Sequence, residues 1–158
     1  EDKSAGMTPE ERRRSAHEIA LRRLRDIRRA AYPARGAFKL HFSEVSETLR
    51  QYFEDRYFIP ALEMTTTEVI RELPAYVSDD GLDQKIEALL SLSDLVKFAK
   101  YRPSVAEADR VLTHAFDIVE NTKIPTDHDR EEEPPSENLN NITVEDTHLS
   151  MRKEGEEL

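Results

Sequence analysis

Apolar residues recur along most of this chain at spacings of three and four, the period of an amphipathic helix. Ala16, Ile19, Ala20, Leu24 and Ile27 predict a first helix, running from about Thr8 to Ala31. Thr8-Pro9-Glu10-Glu11 opens it: threonine caps, proline suits the first helical position, and acids favour the first turn. Pro33 and Gly36 close it. Phe38, Phe42, Val45, Leu49, Tyr52 and Phe53 stay on one face and predict a second helix from about Ala37 to Tyr57. Tyr57-Phe58-Ile59-Pro60 then predicts a turn that buries aromatic bulk, because a residue before proline is biased away from helical backbone.

Thr65 and Glu68 have the spacing of a capping box and open a short third helix. Its Val69, Ile70 and Leu73 face inward, and Pro74 stops it. Ser78-Asp79-Asp80-Gly81 reads as a loop. From about Leu82 to Tyr101 a fourth helix carries Leu82, Ile86, Leu89, Leu90, Leu92, Leu95, Val96 and Phe98. Apolar residues around so much of the circumference predict the central helix of the domain. A break near Ser91-Leu92-Ser93-Asp94 would divide it into two. Ser104 and Glu107 form a second capping-box pattern. The fifth helix that they open ends near Asn121 and buries Ala108, Val111, Leu112, Ala115, Phe116 and Val119.

The expected fold class is all-α: a bundle of five helices, or six if the fourth breaks, with a helix-turn-helix-like core. A flexible lead-in is expected over residues 1–7, the helical domain over 8–123, and a disordered acidic tail over 124–158. About eleven acids stand against about three bases in that tail, with too few large apolar residues for a core.

Composition sharpens this picture. In 158 residues, hydrophobic content of 37% is low and charged content of 35% is high, as for one compact domain with solvated extensions. A net charge of -10 argues against a nucleic-acid partner for the chain as a whole. The absence of cysteine excludes disulfides, thiolate zinc sites and thiol nucleophiles, and fits a reducing compartment. No apolar run approaches the roughly 20 residues of a membrane span. A chain opening on Glu1 without an initiator methionine fits a fragment or processed product, with a membrane anchor upstream as one expectation.

Chemistry-bearing patterns are sparse. His17, His41, His114, His128 and His148 share no metal-ligand spacing. His17 and His41 read as surface or boundary positions, His114 as a boundary residue, and the last two as solvated. There is no glycine-rich phosphate loop and no serine elbow. Asp79-Asp80 and Glu54-Asp55 are ordinary turn and helix acids unless a cleft perturbs them. No enzyme, cofactor, metal or small-molecule substrate is expected.

Two surfaces carry the functional expectations. Tyr57, Phe58, Ile59, Pro60, Leu62 and Met64 form the candidate partner-docking stretch, next to the densest run of aromatics. Arg12, Arg13, Arg14, Arg22 and Arg23 form a candidate membrane-proximal basic face in a helix with a local charge of about +4. The bland reading of that helix is a solvated face with a Glu18–Arg22 pair. A helix-turn-helix DNA-binding regulator is the alternative function. The short third helix fits a recognition helix poorly, having Glu68 and Glu72 against Arg71 alone.

The stretch Ala16-His17-Glu18-Ile19-Ala20-Leu21-Arg22-Arg23-Leu24 resembles the opening of a bacterial cytoplasmic segment that follows a single membrane helix. Phe42 to Ala61 resembles the most distinctive stretch of the same family, followed by Glu63-Met64-Thr65-Thr66-Thr67-Glu68. Leu92 to Tyr101 with Pro103 resembles its next block. Over roughly residues 12–120 the chain is similar to membrane-anchored proteins encoded beside MoxR-type ATPases and the Bat (aerotolerance) von Willebrand-domain proteins. The cytoplasmic C-terminal region of BatD-like chains is included in that likeness. The resemblance implies a non-enzymatic protein-protein interaction domain on the cytoplasmic face of the bacterial inner membrane. It would help to assemble or regulate a chaperone-like complex in envelope or stress function. Its partners would be the ATPase or a von Willebrand-domain subunit, with an anionic membrane surface nearby. The family has no catalytic residues to carry over.

Overall fold

A computed structural model describes residues 6–125. They form five α-helices: α1 Pro9–Ala30, α2 Phe38–Tyr57, α3 Thr66–Glu72, α4 Asp80–Phe98 and α5 Val105–Thr122. Short 3-10 turns at Tyr32–Arg35 and Leu73–Ala75 follow α1 and α3. Among the described residues there is no strand, and the fold is the expected all-α bundle. The helical unit ends at Ile124. Most of the expected lead-in, and the expected disordered tail beyond Pro125, lie outside the described residues.

Local chemistry sets the helix ends. At α1, the Thr8 hydroxyl accepts from Glu11 N–H at 3.2 Å, while the Glu11 carboxylate accepts from Thr8 N–H at 2.7 Å. Ser104 and Glu107 make the same reciprocal box at α5. At α3 the box is only half made: Thr65 accepts from Glu68 N–H, with no return bond from the Glu68 side chain. The fourth helix begins earlier than expected. The Asp79 carboxylate caps it by accepting from Gly81 and Leu82 N–H, so Gly81 lies within the first turn rather than in a loop.

Nor does α4 break. The buried Ser93 hydroxyl donates to Leu89 O at 2.8 Å, satisfying itself inside the helix. Three helices end on a left-handed residue that is not glycine: Ala31, Phe58 and Lys100. After α4, Tyr101 N–H reaches back to Leu95 O at 3.1 Å, closing a Schellman-type turn.

The central helix is α2, not α4. It packs on α1, α4 and α5, and α1 and α4 each pack on both α2 and α5 with little direct contact between them. Phe42, Val45, Leu49, Tyr52 and Phe53 of α2 are all buried, as is Ile118 of α5, which the apolar pattern had left out. By contrast, Leu95 is 48% and Phe98 76% exposed, so the wide apolar girth of α4 exceeds what its neighbours cover. Ala16 and Ala20 let α1 approach α2 closely, above Leu24 and Ile27. The helix–turn–helix order of α2 and α3 is present, with α3 resting on α4.

His41 corrects a surface assignment. It is 2% exposed, and its Nε2 lies 2.8 Å from Ala108 O on α5. Sequence spacing placed it beside the α2 stripe, but α5 closes over that flank. At the far end of the same helix pair, Tyr52 OH meets Thr122 Oγ1 at 2.8 Å and Arg56 Nε donates to Thr122 O at 3.0 Å.

Candidate functional site

The eight residues between α2 and α3 form a compact connection rather than a slack loop. Phe58 turns the chain in left-handed backbone, and its N–H bonds Glu54 O at 2.9 Å. The Glu54 carboxylate then accepts from Leu62 N–H at 3.1 Å. Ile59 and Ala61 plug into the core. From α2, Arg50 pins the outer part: one terminal nitrogen donates to Ala61 O at 2.9 Å and Met64 O at 2.6 Å, the other to Thr66 Oγ1 at 2.8 Å. Burial pulls the Arg50 guanidinium below its usual value, and the charge of Asp94 opposes that pull.

This pinned connection forms one wall of a groove of about 780 Å³. Ser43, Ser46, Glu47 and Arg50 of α2 line its floor, and Asp94, Lys97 and Phe98 of α4 its far wall. Leu62 is 39% exposed, and Phe98 has the Lys97 ammonium 5.0 Å from its ring centroid. Apolar side chains thus stand beside the acids Glu47 and Asp94 and the bases Arg50 and Lys97.

The structure distributes the expected docking residues unevenly. Leu62 and Met64 line the groove. Phe58 is 59% exposed on the connection, and Pro60 is exposed beside it. Ile59, at 4% exposure, is a core residue and not a docking one, because the turn at Phe58 points it inward. Tyr57 is half-buried in an aromatic ladder, 6.4 Å from Phe53 and 5.3 Å from Tyr76 between ring centroids. Its burial raises its hydroxyl pKa. Phe98, Lys97, Asp94 and Arg50 were not expected at this site. A usable signal existed for Phe98: eight apolar residues on one helix are more than a single buried face accommodates.

The five arginines named from sequence do not share a face. Arg14 and Arg22 are exposed, whereas Arg12, Arg13 and Arg23 are half-buried along the flanks of α1. Arg23 lines clefts against α2 beside Thr48 and Glu44. Arg13 and Arg14 both approach Glu10, at 3.5 and 3.4 Å. The Glu18–Arg22 pair is not among the ion pairs of the described residues; exposed pairs of this kind gain too little to hold one geometry.

A second cleft of about 290 Å³ lies between the end of α1, the first 3-10 turn and α5, with His41 at its base. Among the described residues no group of three or more His, Asp or Glu side chains is placed to hold a metal ion, and no helix is long and apolar enough to cross a membrane. The exposed side of α3 presents Thr67, Glu68, Arg71 and Glu72.

Comparison with protein families, with curated proteins and with solved structures finds no match to this chain.

Proposed function

We propose that this chain is a protein-binding helical domain whose docking site is the groove between α2, the Phe58–Thr65 connection and the end of α4. The observation that carries this reading is Phe98, a large aromatic 76% exposed on the wall of a groove that also presents Leu62 and Met64. An aromatic left in water beside a cleft gains free energy when a partner covers it, at about 25 cal/mol per Å² of apolar surface. The walls favour binding without large rearrangement, because Arg50 already fixes the connection.

The resemblance supplies the kind of partner: a MoxR-type ATPase or a von Willebrand-domain subunit. On this reading the domain belongs to a membrane-anchored bacterial protein and works at the cytoplasmic face, in envelope or stress function. Its role is to hold and orient that complex, without chemistry of its own.

The experiment is capture of the purified ATPase and von Willebrand-domain subunit by the immobilised 158-residue chain. Capture of either one, weakened at least tenfold by Phe98→Ala or Leu62→Asp with helix content unchanged, supports the reading. Capture of neither, or capture indifferent to both substitutions, ends it.

A further inference from the structure

The end of α4 carries apolar and positive groups together. The stretch 95–105, from the last turn of α4 to the first residue of α5, contains Lys97, Lys100 and Arg102 and no acid. It also holds Leu95, Phe98, Tyr101 and Val105, half of the eight large hydrophobic residues left exposed among the described residues. Bases at a helix C-terminus have an ordinary explanation in the negative end of the helix dipole, which amounts to about half an elementary charge. Lys97, in the last turn, answers that charge. Lys100 and Arg102 lie beyond the helix and are left over.

The acids nearby do not neutralise this cluster. None of its three bases forms an ion pair among the described residues, and Lys97 stands instead over the Phe98 ring. The charge of Asp94 acts on Arg50. Glu107 accepts from Tyr101 OH at 3.0 Å and from Ser104 N–H at 3.1 Å, with the charge of Arg110 nearby. That leaves Glu47, exposed on the groove floor, and Lys39 offsets it: it is exposed one turn before Ser43 on the same side of α2. The other wall has the opposite sign, since Glu63 is exposed between the groove residues Leu62 and Met64. Charge is therefore polarised across the groove, positive along α4 and negative along the connection.

We propose that the groove takes a polypeptide segment with a large apolar side chain and, on the side that meets α4, a run of acidic residues. This rests on the protein-binding reading above and names the chemistry of the partner. The apolar side chain packs among Leu62, Met64 and Phe98, while the carboxylates meet Lys97, Lys100 and Arg102. Opposite charges across an interface fix orientation and speed encounter as well as adding affinity. The negative connection repels the same acids, so the segment enters in one orientation. A nucleic-acid strand or an anionic bilayer fits less well. Each is negative throughout and brings its charge against Glu47 and Glu63 as well as toward the bases.

The test is fluorescence anisotropy of labelled peptides titrated with the 158-residue chain. Each peptide has a Leu-Phe-Leu core and, on one side, a run of Glu and Asp, of Gln and Asn, or of Lys and Arg, and each is made in both chain orders. At about 0.1 M salt, and in one chain order, the acidic peptide binds about tenfold more tightly than the neutral one, and the basic peptide binds most weakly. Lys97→Glu with Arg102→Glu replaces two attractions by repulsions and lowers affinity for the acidic peptide about tenfold, abolishing its advantage. Phe98→Ser weakens the acidic and neutral peptides alike, because it removes the apolar contact. Arg22→Glu with Arg25→Glu, on α1, leaves affinity within about twofold. Circular dichroism checks that each variant keeps its helix content. The proposal is overturned if the neutral or basic peptide binds as tightly as the acidic one, or if the preference survives the Lys97 and Arg102 substitutions. Tighter binding to single-stranded DNA or phosphatidylglycerol vesicles at the same salt, or self-association that Phe98→Ser abolishes, also overturns it. Capture of the ATPase or von Willebrand-domain subunit that needs Phe98 but ignores Lys97 and Arg102 ends this inference and leaves the protein-binding reading standing.

Discussion

Arg50 donates to Met64 O at 2.6 Å, joining the central helix to the outer lip of the groove. The same guanidinium holds Ala61 O and Thr66 Oγ1, so one α2 side chain organises the connection. Arg50→Ala removes three charge-assisted bonds and is expected to cost about 2–4 kcal/mol. Arg50→Lys keeps the charge but not the fork, and is expected to cost less, about 1–2 kcal/mol. Urea denaturation checks both values, and faster hydrogen exchange at Leu62 to Thr66 localises the loss.

Tyr52 gives the fold an alkaline limit. Burial pushes its hydroxyl up to about 12. Thr122 donates to Ile118 O at 2.6 Å, so Tyr52 is the donor in that pair. A folded-state value above the usual 10 means that stability is fully present below pH 10 and falls as pH rises toward 12. The loss attributable to Tyr52 approaches about 2–3 kcal/mol at the upper end. Tyr52→Phe removes this share of the pH dependence while forfeiting the bond. Denaturation midpoints between pH 9 and about 11.5 check the slope.

Phe58 and Lys100 hold left-handed backbone at φ of 57° and 55° without being glycine. Glycine at either position relieves strain, and Lys100→Gly is expected to stabilise by about 0.5–1 kcal/mol in urea denaturation. Phe58→Gly is expected to stabilise similarly, since its ring is 59% exposed and packs little. If Phe58 anchors the partner, the same substitution weakens capture, a separation of stability from binding that calorimetry of both reads directly.

His41 links α2 to α5 through Ala108 O, and its Nδ1 is buried without a hydrogen-bond partner. His41→Ala both opens a cavity and removes the bond to that carbonyl, at an expected cost of about 2–4 kcal/mol. His41→Phe also loses the bond but keeps the bulk and removes the unpaired nitrogen, so it is expected to cost less. Thermal melts of the two variants establish the order.

What the chain determines locally was legible in its sequence. The threonine, serine and proline signals at Thr8, Pro9 and Ser104, and the apolar period of α1, α2 and α5, depend only on neighbours along the helix. Five helices and their approximate limits follow from those near-neighbour effects. Tertiary packing decided which apolar face stays uncovered, because periodicity marks a greasy stripe without saying how much of it a neighbour reaches. Thus α4 looked central, yet it leaves Phe98 in water, while α5 buried His41. The groove belongs to the same class: Arg50, Leu62 and Phe98 are far apart in sequence, and only the folded chain brings them to one site. The arginines of α1 were visible from the start, but only its packing on α2 and α5 separated exposed Arg14 and Arg22 from half-buried Arg12, Arg13 and Arg23.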